Sequence, residues 1–364
     1  MLPYWIAFLI AATGALTECS RLPDLGAQRR RPQGLNGTWW LVAVGLALFI
    51  GLRHEVGGDW YTYLENYQSL DWGAFWDHQS LGSILARDPA YRLFEWLSQE
   101  AGFGIYGVNL LAALVFAYGL ARFCRALPMP WLALTAALPY LVIVVAMGYT
   151  RQAVAIGCAM VGFTWLIQER RLRFVTWLAF GALFHQTALI LMPMAILATT
   201  KRWFVALLAS IGLSALGVAL AFQESIARLS HGYLAASYES EGAMIRLAMN
   251  ALPALLFLMR KQHFAMNPTE KRLWSWLAWA SVSFLALLSL SPSSTAVDRI
   301  GLYLMPIQLA IAAHWPAAYQ RLLGQRATML LTLVYFTSVL ATWLLFANHA
   351  FAWLPYQSVL TAHF

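Results

Sequence analysis

Residues 174–199 read F-V-T-W-L-A-F-G-A-L-F-H-Q-T-A-L-I-L-M-P-M-A-I-L-A-T, an apolar run of 26 residues with His185 and Gln186 near its centre. A helix of about 20 residues crosses the hydrocarbon core of a bilayer. The run therefore forms either one long span or two half-helices broken near His185. The choice between these two arrangements decides on which side of the membrane every later segment lies.

The composition predicts an all-α, polytopic membrane protein. Hydrophobic residues make up 60% of the 364 residues, charged residues only 11%, and the mean hydropathy is +0.61. A soluble domain carries about 25% charged residues, so this chain cannot cover a water-facing surface. Further apolar runs lie at residues 2–16, 39–52, 105–121, 131–148, 152–168, 203–222, 243–259, 273–291, 300–318 and 327–347.

The basic residues orient the chain, because short cytoplasmic loops are enriched in Lys and Arg. The clusters 29–31, 122–125 and 170–173 fall on one side if the first five runs each cross once. With a single crossing at residues 174–199, the later cytoplasmic loops hold three basic residues: Arg228, Arg246 and Arg299. With entry and return they hold eight: Lys201, Arg202, Arg260, Lys261, Lys271, Arg272, Arg321 and Arg326.

The return arrangement therefore predicts about ten spans plus a broken, re-entrant hairpin, with both termini outside. Residues 1–364 form a single integral-membrane domain on this interpretation, and residues 53–104 form a long periplasmic loop. The net charge of +8 is spread over these short clusters, which favours membrane orientation over nucleic-acid binding.

The second half of that loop, D-P-A-Y-R-L-F-E-W-L-S-Q-E, has apolar residues at helical spacing. Asp88 is the expected N-cap and Pro89 the first helical residue. The pattern is typical of an amphipathic helix at a membrane surface, although an ordinary loop helix has the same spacing.

Ionisable residues at the external ends of spans are the candidates for chemistry, because a charge in or near lipid needs a partner or an aqueous cavity. Arg53, Arg151, His185 and the pair 298–299 all fall on the external side of the predicted topology. Three arginines on one leaflet suit an anionic ligand such as phosphate. The alternatives are snorkelling arginines, an Arg299–Asp298 pair and a histidine that only packs.

The sequence lacks the motifs of several known classes of metal, nucleotide and hydrolase site. The sequence has no H-E-x-x-H, C-x-x-C, P-loop or G-x-S-x-G pattern, which predicts an activity without metal, nucleotide or other cofactor. Cys19, Cys124 and Cys158 are scattered and are expected to be free thiols. Gly57 and Gly58 suit a tight turn that brings Asp59 back toward the membrane.

Five short motifs occur in order along most of the chain. They are R-x-x-x-G-x-D-x-x-x-Y (Arg53, Gly57, Asp59, Tyr63), D-P-A-Y (88–91), R-Q-A-V-A (151–155), F-H-Q-T-A-L (184–189) and D-R-I-G-L-Y (298–303). The series resembles the EpsG-like family of exopolysaccharide polymerases, relatives of the Wzy-type polymerases. His54 and Glu55 depart from the residues more usual between the arginine and the glycine.

The resemblance implies polymerisation of repeat units carried on undecaprenyl pyrophosphate, at the periplasmic face of the bacterial inner membrane. It implies a GT-C-like architecture, contact with membrane lipid, and a flippase and a chain-length regulator of an export pathway as partners. Such a reaction needs groups that neutralise pyrophosphate, for which we assign Arg53, Arg151 and Arg299.

The reaction also needs a general base, with Asp59, His185 and Glu55 as the alternatives. The remaining assignments are to sugar and other substrate contacts: Tyr63, Gln152, Trp60, Tyr67, Tyr303 and Asp298.

Other functions share parts of this chemistry. A transporter or flippase would also use intramembrane arginines, but repeat symmetry and midplane charges would be expected. A polymer ligase differs only in its acceptor. A membrane O-acyltransferase and a structural assembly subunit are the remaining alternatives.

Overall fold

The computed structural model describes residues 1–19, 34–70, 88–200, 242–289 and 294–362. In these ranges the secondary structure is helical, apart from an isolated antiparallel bridge between Arg53 and Ser358. We number the α-helices in chain order: α1 (Leu2–Cys19), α2 (Gly37–Gly51), α3 (Trp60–Gln68), α4 (Pro89–Glu100), α5 (Gly104–Arg125), α6 (Pro130–Ala137), α7 (Thr150–Leu166), α8 (Arg171–Ala182), α9 (Met194–Leu197), α10 (Ala243–Arg260), α11 (Pro268–Leu288), α12 (Ser294–Gly301), α13 (Pro306–Ala318), α14 (Gln320–Leu323) and α15 (Gln325–Phe346).

Shorter helical segments complete these elements. A π-helix, Leu138–Ala146, continues α6, and 3₁₀ turns occupy Gln186–Leu191, Lys261–His263, Leu302–Leu304 and Ala350–Trp353. Helix starts carry the expected residues: the side chain of Asn36 accepts a bond from the Trp39 N–H before α2, and that of Asn267 accepts from the Glu270 N–H before α11. The apolar run at residues 203–222 lies outside the described part of the chain.

Three described helices are long and apolar enough to cross a membrane: Gly104–Arg125, Ala243–His263 and Gln325–Phe346. Four shorter apolar helices accompany them: Leu2–Glu18, Gly37–Gly51, Pro130–Ala146 and Gln186–Leu197. Large apolar side chains such as Leu41, Leu172 and Phe346 point outward. An outward-facing apolar surface is consistent with a polytopic membrane protein.

The run at 300–318, which the sequence predicted as one span, is bent in the structure. Ser294–Leu304 and Pro306–Ala318 are long and apolar enough to cross a membrane only when taken together, and they meet at an angle of 43°. Pro306 opens the second arm, where its fixed φ and missing N–H favour a helix start. Asp298 and Arg299 therefore lie on a short first arm, α12, which is inclined to the rest.

The run at 174–199 is a broken hairpin. Helix α8 ends at Ala182, His185 adopts an extended conformation, and a 3₁₀ turn begins at Gln186. The far end of the run returns to where it began, because Arg272 in the first turns of α11 donates to the Ala198 carbonyl (2.7 Å). Just before that helix, Asn267 donates to the Ile167 carbonyl (3.2 Å), next to the start of α8.

Helices α5 and α7 run side by side in the same direction. A Cβ added at Gly119 would lie 2.3 Å from the Gly157 carbonyl oxygen, so the two backbones are in contact. Asn109 in α5 and Thr150 in α7 both bind the same guanidinium, which places the two helix starts at one end of the bundle. The two described thiols, Cys124 and Cys158, are free and buried, as predicted.

Helix α4 forms where the sequence predicted the loop helix, with Pro89 in its first turn. The predicted N-cap position is confirmed, but the side-chain capping bond is absent. Asp88 occupies this position, and its backbone is left-handed with φ +55°. Its carboxylate instead binds Arg151, 2.8 Å away.

The loop after α2 is held against the chain's C-terminal segment. The His54 N–H donates to the Gln357 carbonyl (3.0 Å), and the Gly57 N–H to the Ala352 carbonyl (2.8 Å). Gly57 has φ +116°, and its carbonyl accepts from the Trp60 N–H (3.0 Å). This is the tight turn that the glycine pair predicted, and it places Asp59 immediately before α3.

Gly57→Ala is expected to destabilise the protein by about 2–4 kcal/mol. The new Cβ would lie 2.2 Å from the Met147 carbonyl oxygen, and a side chain is strained at this φ. Gly58→Ala is the matched control, because its Cβ would meet Trp353 at an ordinary 3.4 Å. Thermal unfolding of both purified variants in detergent measures the difference, and equal midpoints would show that the turn tolerates a side chain.

Candidate functional site

Arg151 lies in the first turn of α7 with its guanidinium half-exposed. One NH donates to the Asp88 carboxylate (2.8 Å), and the side chain of Arg151 remains 41% exposed. The guanidinium lies 5.5 Å from the ring centre of Tyr63 and 5.9 Å from that of Tyr91. An arginine held by rings and one carboxylate keeps its remaining donors available for a ligand.

Arg299 on α12 is the second half-exposed arginine. Its guanidinium stacks 3.8 Å from the ring centre of Tyr149, and its side chain is 41% exposed. One terminal nitrogen lies 3.9 Å from the Asp59 carboxylate. The Arg299 backbone is held by Gln152, whose side-chain amide donates to the Arg299 carbonyl oxygen (2.6 Å).

Asp59 lies near both arginines, 3.9 Å from a terminal nitrogen of Arg299. Burial raises the pKa of its carboxyl group above the ordinary range, and the positive charges of Arg299 and Arg151 act against that rise. The side chain is 38% exposed, so the carboxylate remains accessible to solvent. A partly desolvated carboxylate beside cations is a suitable proton acceptor.

His185 completes this group from the hairpin. It lies in the break between α8 and the 3₁₀ turn, half-buried, and close to Arg151 and Arg299. The carboxylate of Asp88 also accepts a bond from the backbone N–H of Gln186, the residue after His185. We call Asp59, Asp88, Arg151, His185 and Arg299 the arginine–carboxylate cluster.

Arg53 is placed near the cluster but is occupied by the protein. Its side chain is 1% exposed, and it donates to the carbonyls of Ile50 (2.8 Å) and Val56 (3.0 Å). The same guanidinium donates to Asn109 Oδ1 (3.1 Å) and Thr150 Oγ1 (3.0 Å). In this conformation Arg53 joins the loop to the starts of α5 and α7, and its phosphate contact stays a prediction.

Asp298 pairs with Arg246 and not with its neighbour Arg299. Arg246 Nε and NH2 donate to the two oxygens of the Asp298 carboxylate at 2.7 and 2.8 Å. Asp298 is 5% exposed, and Asn250 on the same helix as Arg246 donates to the Gly301 carbonyl (3.0 Å). These bonds anchor α12 to α10 and so help to position Arg299.

The residues assigned to sugar contacts differ in how far they are buried. Trp60 (3% exposed), Tyr67 (7%), Gln152 (3%) and Tyr303 (1%) are buried. Tyr67 donates to Gln99 (2.6 Å), and the Tyr303 hydroxyl accepts from Thr187 beside the hairpin break (3.1 Å). Of the assigned rings, Tyr63 is half-buried and lies next to Arg151. Direct sugar contacts of the buried residues would need a different conformation.

Glu55 does not join the arginine–carboxylate cluster in this structure. It is exposed, has φ +53°, hydrogen-bonds to Tyr61 and lies near Tyr106. Among the described residues, the structure thus brings Asp59, Arg151, His185 and Arg299 together, and it places Glu55 with a separate group of rings.

Sequence reasoning missed several residues of the site. Asp88 was assigned only as a helix cap, although it is the first residue of the D-P-A-Y motif. The contacts of Tyr149, Arg246, Asn109 and Thr150 had no signal in the sequence, because each depends on a partner from a distant helix.

No curated protein and no solved structure matches the chain. The model of the EpsG family matches residues 38–358, a range that contains every member of the arginine–carboxylate cluster. Since this range covers most of the 364 residues, the chain belongs to the EpsG family.

Proposed function

We propose that this protein is a glycosyltransferase that joins oligosaccharide repeat units carried on undecaprenyl pyrophosphate. Membership of the EpsG family indicates a membrane-embedded polysaccharide polymerase in broad terms. The observation that carries the more specific proposal is the pair of half-exposed arginines, Arg151 and Arg299, which lie beside Asp59 and His185.

The proposed reaction is a single displacement. The base takes the proton of an acceptor hydroxyl, and the hydroxyl oxygen forms a bond to the anomeric carbon of the donor repeat unit. The bond from that carbon to the pyrophosphate oxygen breaks, and undecaprenyl pyrophosphate leaves with the electron pair. This route inverts the anomeric configuration and needs no nucleotide, because the donor is already activated.

The cluster supplies the two functions that this step requires. Arg151 and Arg299 present planar guanidinium groups that can bind phosphate oxygens in pairs and stabilise the charge of the leaving group. Asp59 or His185 takes the proton. We assign the buried Arg53 to positioning, since its donors bind Ile50, Val56, Asn109 and Thr150, the residue before Arg151.

We further propose a GT-C-like arrangement of about ten spans in the bacterial inner membrane. The broken run at 174–199 would enter from the cytoplasmic side, turn at His185 and return, which would place the cluster at the periplasmic face. The supporting observation is that both ends of the run lie at the end of the bundle where α11 begins. A flippase would deliver the substrate, and a chain-length regulator would act on the product.

His185→Ala and Asp59→Asn test the function in a native producer strain. At least one variant is expected to stop long chains while single repeat units are still made and exported. His263→Ala and Glu65→Gln, both exposed residues, are matched controls and should leave chain length unchanged.

Other results would favour other functions. Lipid-linked units held in the cytoplasm would favour a flippase, and normal polymer that fails to reach its final acceptor would favour a ligase. Unchanged chain length in both variants would contradict the assigned base.

The pH dependence of polymerisation separates the two candidate bases. With Asp59 as the base, the rate falls as pH decreases through its raised pKa, because the carboxylate is the active form. Arg299→Ala removes a neighbouring positive charge, so that pKa rises further and the acid limb moves to higher pH. If the rate of Asp59→Asn still falls at low pH, His185 is the residue that accepts the proton.

A further inference from the structure

Asp88 contacts two parts of the cluster at once. Its carboxylate accepts from the Arg151 guanidinium (2.8 Å) and from the Gln186 backbone N–H. The side chain is 14% exposed, so these bonds are shielded from solvent and the carboxylate has a fixed position. A charge-assisted bond of this length is among the stronger contacts in a protein.

The turn that contains Asp88 also holds the other side of the hairpin break. The Ala90 N–H donates to the Leu183 carbonyl (3.0 Å). Leu183 and Gln186 flank His185, and both are thereby joined to the first residues of α4. Asp88 has a left-handed φ of +55°, which a residue with a side chain adopts when its surroundings hold it there.

We propose that Asp88 is a positioning residue, which holds the Arg151 guanidinium and the backbone at His185 at a constant separation. This inference rests on the proposed function, in which Arg151 binds phosphate. The carboxylate also opposes an anion at Arg151, since like charges repel at short range. Loss of the Asp88 charge therefore has opposite effects on anion binding and on turnover.

Asp88→Asn tests both effects with the full-length protein purified in detergent. Turnover of lipid-linked repeat units from producer membranes is expected to fall about 10- to 100-fold, the usual loss for a hydrogen bond to a charged group. Affinity for inorganic pyrophosphate, measured by calorimetry, is expected to rise about 3- to 10-fold. A purely structural role would lower both quantities or neither, and either of those results would overturn the proposal.

Glu95→Gln is the matched control. Glu95 lies on the same helix, is 2% exposed and binds Arg92 at 2.8 Å, so its loss also breaks a buried ion pair. Its charge acts on Arg151 only through space, so pyrophosphate affinity should rise less than in Asp88→Asn. Asp88→Glu keeps the charge and is expected to recover turnover to within about 5-fold of the unaltered protein.

A second pair of variants tests the hairpin contact even if Asp88→Asn does not fold. Gln186→Pro removes the N–H that donates to Asp88, and proline is tolerated at the first position of a helical turn. Gln186→Ala removes the same side chain but keeps the N–H. Turnover about 10-fold lower in the proline variant than in the alanine variant, with equal pyrophosphate affinity, supports the proposal. Equal turnover in the two variants would overturn it.

These results are distinguishable from failure of the proposed function. Normal polymer from Asp88→Asn, with polymer lost in Arg151→Ala and His185→Ala, would reject only the role of Asp88. Normal polymer from Arg151→Ala and His185→Ala would reject the proposed function as well.

Discussion

We expect Arg53→Ala to leave little folded protein in the membrane. The substitution removes a buried cation and leaves four hydrogen-bond acceptors without their donor. These are the carbonyls of Ile50 and Val56 and the side chains of Asn109 and Thr150. An unsatisfied buried polar group costs about 1–3 kcal/mol. Four of them approach the total stability of about 5–15 kcal/mol that is typical of a folded protein.

The measurement is the amount of protein in isolated membranes and its unfolding temperature in detergent. The stability of Arg53→Lys is expected to lie between those of Arg53→Ala and the unaltered protein, since one ammonium group cannot reach all four acceptors. Arg321→Ala, at an exposed position, is the control and should be neutral. Normal stability of Arg53→Ala together with short polymer would instead assign Arg53 to the phosphate.

Arg151→Ala is expected to abolish long polymer while folded protein still accumulates. Loss of a donor to a developing charge lowers turnover by about 10²–10³-fold. The stability cost should be smaller than for Arg53→Ala, because the Arg151 side chain is 41% exposed. Its loss removes one ion pair, to Asp88, and ring contacts to Tyr63 and Tyr91. Polymer length in the producer strain and unfolding temperature measure the two effects.

Two further variants separate these effects at Arg151. Arg151→Lys keeps the charge but not the planar fork, and we expect shortened chains. The double variant Arg151→Ala with Asp88→Asn removes the unpaired carboxylate, so its stability should recover while its activity does not. Recovery of long polymer in the double variant would show that Arg151 acts only as a partner of Asp88.

The positions of most helices could be predicted from hydropathy. An apolar run must satisfy its own backbone in lipid, and an α-helix does so within one segment. The predicted break at His185–Gln186 is present, and its support in the sequence came from distant basic residues at 260–261 and 271–272. The bend before Pro306 was missed because hydropathy reports composition and not the angle between two arms.

The resemblance in short motifs indicated the family, and the match over residues 38–358 confirms it. The motifs also selected residue types suited to phosphate and to proton transfer. They could not tell an arginine that faces solvent from one enclosed by protein. Arg53 and Arg151 look alike in the sequence, yet one is 1% exposed as a residue and the other has a side chain 41% exposed.

Local patterns along the chain determined the helices and the set of polar groups at the helix ends, since each depends on near neighbours. The break at His185 was predicted from the charge of distant loops. The partner of each polar group was decided by packing: Asp88 with Arg151, Arg246 with Asp298, and Tyr149 with Arg299. These partners lie 63, 52 and about 150 residues apart, and no short-range rule relates them. They meet because parallel helices such as α5 and α7 begin at one end of the bundle, where a buried charge must find an acceptor.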